Sequence, residues 1–288
     1  RLARPVGRIG MPINTYFSRI CDDGALRLIN AAQTDAVRRA MADGPEAGLP
    51  VLSAAAPLRC GGLSGEDGYT DIAAGPVTER DIADLYPYPN TLQATLLTGA
   101  EVLEMLERAA AQFLTVRPGA RDAPLIDEAR PAYAFDTLAG VTYRIDLSAP
   151  VGARIRDLRH AGRPVSAGAR FVLATNSFRT GSMSCCGVPI RSLGPSRDAI
   201  ARFVAEGGAA SSLPAPGWSF VPLPGTTALF RTGHGSRHVP APDASAAEAA
   251  LEPVAHAVAT HMSASAPATW RLDLSRAAFL CGHPLRKN

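Results

Sequence analysis

The sequence predicts an α+β, mixed α/β fold on three observations. Val102, Leu103, Leu106, Ala110 and Phe113 recur at helical spacing over Ala100–Phe113, with Glu101, Glu104 and Glu107 off that face. Val141, Tyr143, Ile145 and Leu147 alternate with Thr142, Arg144 and Asp146, the period of a half-buried strand. Phe171-Val172-Leu173-Ala174 is apolar without a break, as a strand covered on both faces is.

The other elements follow in chain order. After Asp22-Asp23 an Ala/Leu/Ile-rich run keeps Leu26, Ile29, Asn30, Gln33 and Val37 at helical spacing as far as Met41, and Gly44-Pro45 stops it. Val51 to Ala56 is short and apolar and reads as a buried strand. Gly61 to Gly65 opens a loop that ends near Gly75-Pro76, and Thr78 offers an N-cap hydroxyl to a short helix at Glu79-Arg80-Asp81. Thr91 to Leu97 reads as a strand and Thr98-Gly99 as a turn. Ile155 to Leu158, His160 to Arg163 and Arg170 to Thr175 read as strand, turn and strand. Ser196 to Glu206 reads as a helix. Beyond Gly207 the chain is rich in Pro, Ala and Ser. Ser211 to Pro224 and Gly233 to Ala247 read as loops, Glu248 to Met262 as a helix and Trp270 to Leu274 as a final strand. The expected organisation is one main domain over residues 1–210 and an irregular extension over residues 211–288 that packs on it.

Composition supports a folded chain. Of 288 residues 47% are hydrophobic and 19% charged, with a net charge of +3, which excludes wholesale disorder. All but one of the 29 basic residues are arginine, the exception being Lys287; they are scattered, not striped, so they do not read as a nucleic-acid footprint. No apolar stretch is long enough to span a bilayer. The chain begins at Arg1, not Met, which reads either as a cleaved signal peptide or as a piece of a longer protein. The five cysteines, Cys21, Cys60, Cys185, Cys186 and Cys281, contain no Cys-x-x-Cys, and vicinal Cys185-Cys186 reads as two free thiols.

No complete catalytic set is present. His234 and His238 have a spacing that suits zinc but lack further ligands, so they read as part of a polar loop. His256 and His261 share no helical face. Gly62-Leu63-Ser64-Gly65-Glu66 and Gly181-Ser182-Met183-Ser184-Cys185 both fail the Gly-x-Ser-x-Gly pattern. The absence points to binding, with the chemistry located elsewhere. The residues best suited to binding are aromatic. Two prolines stiffen Tyr86-Pro87-Tyr88-Pro89-Asn90 around Tyr88, and Asn90 adds an amide. Thr175-Asn176-Ser177-Phe178-Arg179 follows the most apolar strand. Two such rings suit a flat heterocycle, since every base has a π-face; core or rim packing is the plainer reading of both.

At these residues the sequence resembles the C-terminal domain of the 5′-nucleotidase family, closest to the bacterial periplasmic 2′,3′-cyclic-nucleotide 2′-phosphodiesterase/3′-nucleotidase branch. The landmarks run in order. They are Asn30-Ala31-Ala32-Gln33, Leu49-Pro50-Val51-Leu52-Ser53-Ala54-Ala55-Ala56-Pro57, Asp84-Leu85-Tyr86 with Tyr88-Pro89-Asn90-Thr91-Leu92, and Thr98-Gly99-Ala100-Glu101-Val102. Tyr133-Ala134-Phe135-Asp136, Gly162-Arg163-Pro164-Val165 and Ala174-Thr175-Asn176 with Phe178-Arg179 complete them.

The resemblance implies a 5′-nucleotidase C-terminal-type fold that grips a nucleobase between Tyr88 and Phe178, with Asn90 hydrogen-bonding the base. Ser53 begins a stretch where relatives often carry an Asn, and Arg59 is placed to reach a phosphate or sugar. It further implies a nucleotide or nucleoside ligand, a periplasmic setting, and an N-terminal metallophosphoesterase domain of the same polypeptide carrying two divalent metal ions; on that reading no catalytic residue, metal or cofactor belongs to this chain. Relatives have a Gly-rich loop after Phe178, where this chain has the bulkier Gly181 to Gly187. Two alternatives remain open: a diverged non-catalytic nucleotide-binding or interaction module, and the C-terminal domain of a 5′-nucleotidase or nucleotide-sugar hydrolase.

Overall fold

The structure is a computed structural model and describes residues 3–65, 67–182, 189–210, 213–239, 250–254 and 267–276. Its centre is a five-stranded mixed sheet in the order Pro189–Pro195, Thr91–Thr98, Arg170–Asn176, Val51–Ala55, Thr137–Ala139. Arg170–Asn176 runs antiparallel to Thr91–Thr98 and parallel to Val51–Ala55. Its unbroken apolar run has the expected cause. Phe171 and Leu173 face one core with Leu52, Ala54 and Leu97, while Val172 and Ala174 face another with Val51, Leu92 and Ala94.

Helices cover both faces. The first, α1 (Gly24–Met41), is N-capped by Asp23, whose carboxylate accepts from Leu26 N at 3.1 Å. Its expected inner residues Leu26, Ile29, Asn30, Gln33 and Val37 are all buried. Thr78 caps α2 (Glu79–Leu85) in a capping box with Asp81. Strand Thr91–Thr98 runs straight into α3 (Gly99–Ala110). Thr98 is therefore a cap and not part of a turn: its hydroxyl accepts from Glu101 N at 3.3 Å while Glu101 accepts from Thr98 N at 2.7 Å. The bare α-carbon of Gly99 lets the chain pass Ser166 O, which a Cβ would meet at 2.1 Å. Within α3, Val102, Leu106 and Ala110 are buried, but Leu103 lies about 100° round from Val102 and is exposed. Fully buried Arg154 satisfies the end of α3 by donating to Ala110 O and Phe113 O. Two short helices follow, α4 (Ser177–Ser182) and α5 (Ser196–Ala205).

The expected strand, turn and strand are present as Ile155–His160, Ala161-Gly162 and Arg170–Asn176; the turn, with positive φ at both residues (47° and 78°), first pairs Ile155–His160 with the short Arg163–Pro164. Other expectations differ from the structure. The stretch between Gly61 and Pro76 is not all loop, since Asp71–Ile72 and the start of Gly75–Thr78 pair with Ile13–Asn14 and Pro5–Ile9. Buried Trp218–Phe220, inside an expected loop, pairs in parallel with Thr142–Ile145. His234–His238 forms a short 3-10 turn. Leu251–Pro253 is a strand beside Ala268–Asp273, not the start of a helix; Pro253 is compatible with that edge position. The rest of the expected helix over Glu248 to Met262 lies outside the described residues, as do Cys185, Cys186, His256 and His261.

Candidate functional site

One edge of the central sheet collects the chain segments that the sequence singled out. Asn176 pairs with Leu92, so Tyr86 to Asn90 enters one strand where Ser177 to Arg179 leaves its neighbour. The Thr91 backbone N–H donates to Ser177 Oγ at 3.1 Å and ties the two together. Val51–Ala55 runs parallel to Arg170–Asn176, with Ser53 beside Ala174, so the stretch leading to Arg59 exits at the same edge. Thr137 pairs with Ala55, which brings Tyr133 to Asp136 there as well.

Tyr88 is 44% exposed and Phe178 49%, and they are joined at this edge by a third open ring, Tyr133, at 37%. A large apolar ring left open to water has not been used for the core. Two proline rings fix φ on either side of Tyr88, and Pro89 also restricts Tyr88 itself to extended backbone. Tyr86, by contrast, is buried, and its hydroxyl accepts from Asn90 Nδ2 at 3.3 Å. The Asn90 carbonyl accepts from Ser196 N at 2.9 Å. From α5, Arg197 reaches back and donates Nε–H to Tyr86 O at 2.6 Å and Nη2–H to Pro87 O.

Phe178 is held differently. Asn176 Oδ1 accepts from Phe178 N at 3.1 Å and Arg179 N at 3.2 Å, capping α4. Phe178 meets Tyr133 edge-on, with centroids 6.0 Å apart and planes at 85°. The Arg179 guanidinium lies 5.4 Å from the Phe178 centroid. Arg179 is buried; its Nε donates to buried Asp136 Oδ1 at 2.9 Å and its Nη2 to Tyr133 O. Burial pushes the Asp136 carboxyl above the usual carboxylate range, and the guanidinium opposes that rise. This pair joins two sequence landmarks, Tyr133-Ala134-Phe135-Asp136 and Phe178-Arg179, at the level of side chains.

The remaining candidates sit deeper or are already engaged. Ser53 is fully buried and its hydroxyl accepts from Gln33 Nε2 at 3.2 Å. Arg59 is half-buried and pairs with Asp84 at 3.0 Å. His234 Nδ1 lies 3.5 Å from Asp67 Oδ1. Among the described residues no three His, Cys, Asp or Glu side chains are grouped to hold a metal ion. A cavity of about 850 Å³ opens along α3, between Leu103, Glu107, Val151 and Val165; none of the three open rings lines it. Sequence reasoning missed Arg197, which lies in a helix far along the chain with no local motif around it. It also missed Tyr133 as an open ring, although Tyr133 stands inside one of its landmarks.

Comparison with known proteins gives the family and the fold. A family profile described as "5'-nucleotidase, C-terminal domain" matches residues 13–184. The chain is 31% identical over 248 residues to the trifunctional nucleotide phosphoesterase protein YfkN of Bacillus subtilis, covering 80% of this chain and 17% of that protein. It is 36% identical over 195 residues to the 2',3'-cyclic-nucleotide 2'-phosphodiesterase/3'-nucleotidase of Haemophilus influenzae, covering 62% of this chain and 30% of that one. It therefore spans less than a third of either relative. The solved structure of a 5'-nucleotidase precursor from Thermus thermophilus superposes with a TM-score of 0.57 at 17% identity, over 76% of this chain and 39% of that one.

Proposed function

Because the chain belongs to the 5′-nucleotidase C-terminal domain family, we propose that it is the nucleobase-recognition domain of a 2′,3′-cyclic-nucleotide 2′-phosphodiesterase/3′-nucleotidase. The observation that carries the reading is the placing of two open rings, Tyr88 and Phe178, on segments that meet at paired strand ends. Stacking gives affinity with little base discrimination, and the Asn90 amide adds a directional group. Anchoring the base at a distance orients the phosphate ester for chemistry in a separate domain. In this proposal the metallophosphoesterase domain of the same polypeptide carries two divalent metal ions, which activate water for attack on phosphorus. This chain's own residues bind and orient. The 34–36% identical curated relatives, all named as cyclic-nucleotide phosphodiesterase/3'-nucleotidases, favour that branch.

An oxidising compartment such as the periplasm also belongs to the proposal. Its support is that Cys21 is disulfide-bonded. Among the described residues no helix is long and apolar enough to cross a membrane.

The test is a titration of the full chain with 3′-AMP, followed by NMR shifts, for the parent and for Tyr88→Ala and Phe178→Ala. Each substitution is expected to weaken binding by about fivefold to a hundredfold, the scale of losing one stacking partner at roughly 1–3 kcal/mol. Affinity unchanged by both substitutions would remove the recognition role and leave only the family kinship.

A further inference from the structure

We propose that Arg197 is the positioning residue of the Tyr88 ring: bridging from α5, its guanidinium holds the Tyr86 and Pro87 carbonyls and so sets the direction in which Tyr88 presents to a ligand. This rests on the nucleobase reading above.

The Tyr86–Asn90 segment has little with which to hold its own shape. Pro87 and Pro89 have no N–H, so the segment has few backbone donors with which to fasten itself. Helix α2 has already ended, with Tyr86 at φ −130° and ψ 83°, and the sheet begins only at Thr91. The direction of the Tyr88 side chain depends on the backbone dihedrals before it. The φ of Pro87 is fixed by its ring, and Tyr88 is confined to extended backbone by Pro89. The soft variable left is ψ of Pro87, which rotates the Pro87–Tyr88 peptide plane. The oxygen of that plane is the one that Arg197 Nη2 holds, while Nε holds the preceding carbonyl at 2.6 Å. A planar guanidinium fork donating to consecutive carbonyls fixes their relative orientation, which a single point donor does not do.

The anchor of the fork is itself firm. Arg197 is the second residue of α5, Ser196 N donates to Asn90 O at 2.9 Å, and Pro195 pairs with Thr91. The clamp and the loop it holds thus share one sheet edge, and the loop is pinned at both ends with the exposed ring between. Tyr88 itself is open to solvent, so packing does little to orient it. A ring held in its binding orientation before the ligand arrives loses less freedom on binding.

Arg197→Ala, Arg197→Lys and Tyr88→Ala, with the double variant Tyr88→Ala/Arg197→Ala, are titrated with 3′-AMP beside thermal unfolding of each. Arg197→Ala is expected to weaken binding about threefold to tenfold, the scale of re-ordering one side chain, while Arg197→Lys recovers part of the loss. In the Tyr88→Ala background the Arg197 substitution is expected to change nothing, because the ring it orients is gone. A loss of the same size in both backgrounds, or no loss when Tyr88 is present, overturns the positioning role. If Arg197→Ala does not fold, Arg197→Gln, which keeps one donor, is read by the same cycle. Failure of Tyr88→Ala itself to weaken binding overturns the nucleobase reading, and the Arg197 role with it. Loss on Tyr88→Ala alone, without coupling to Arg197, overturns only the Arg197 role.

Discussion

Around Tyr88 the constraint is partly open to solvent: prolines on both sides of the ring, a hydrogen bond from Asn90 to Tyr86, and one half-buried arginine, from a helix far along the chain, on two carbonyls. Around Phe178 it is buried. There the Arg179–Asp136 pair joins a short helix to a segment more than forty residues earlier in the chain and carries Tyr133 against Phe178. Both rings end up exposed to a similar degree, yet the two supports differ in what they cost to remove. A loop stiffened by proline owes its order to restricted dihedrals and can lose a clamp while staying folded. A buried ion pair cannot lose one partner without leaving a charge in the interior.

The largest expected effect tests that contrast directly. Asp136→Ala leaves the Arg179 guanidinium buried with only the Tyr133 carbonyl on that side. We expect a stability loss of about 3–5 kcal/mol, read as a lowered denaturant midpoint, together with loss of the Tyr133–Phe178 contact. Arg197→Ala, which removes two hydrogen bonds from a half-buried side chain, is expected to cost a smaller amount, about 1–3 kcal/mol at roughly 0.5–1.5 kcal/mol each. Equal losses for the two substitutions would break the comparison.

A pH ramp sharpens it by destabilising the fold chiefly away from both rings, although Asp136, also raised by burial, contributes in the same direction. Asp22 is pushed up to about 6 and Asp23 to about 7, in both cases mainly by burial. Gly217 N donates to Asp22, and Leu26 N and the Ser18 hydroxyl donate to Asp23; none of these groups belongs to a ring-bearing segment. Folded-state values above the unfolded value of about 3.9 mean that the folded protein binds protons more tightly. The stabilisation is therefore full below about pH 4 and is lost as pH rises toward 7. The neighbouring carboxyls titrate as a pair, with an overall loss on the order of several kcal/mol. Asp22→Asn is expected to flatten the part of this decline below pH 6. Chemical denaturation at a series of pH values measures it, and a rise in stability from pH 4 to pH 7 would contradict the assignment.

Much of this organisation was legible in the sequence because it is written in local patterns. The period of α1, the unbroken apolar run Phe171–Ala174 and the Thr78 cap each depend on neighbouring residues alone, and each stands in the structure. Tyr88 and Phe178 were visible because prolines and an abrupt strand end flank them. What escaped depends on pairing across distance. Trp218–Phe220 is a strand only because Thr142–Ile145 lies beside it, and Leu251–Pro253 only because of Ala268–Asp273. Thr98 and Gly99 carry the residue types of a turn, and the Glu101 side chain makes them a helix start. Arg179 and Asp136 were both noted, but nothing in their neighbours' spacing links them. For Arg197, one arginine among many, no pattern in the chain distinguishes its contact with Tyr86 and Pro87 from a solvated surface charge.

The smallest expected effect concerns the stiffness of the Tyr88 loop itself. Pro89 is exposed, so in Pro89→Ala the new backbone N–H is hydrated and no cavity opens. What changes is freedom. The unfolded chain gains conformations, which costs about 0.4–1 kcal/mol of stability, and Tyr88 regains access to the helical region that Pro89 closed. If the loop is ordered by restricted dihedrals, the variant binds 3′-AMP less tightly even where its midpoint barely moves, and adding Arg197→Ala weakens it by more than the two separate losses combined. If the midpoint falls and affinity does not, the prolines serve the fold alone, and the Tyr88 loop owes its order to the arginine.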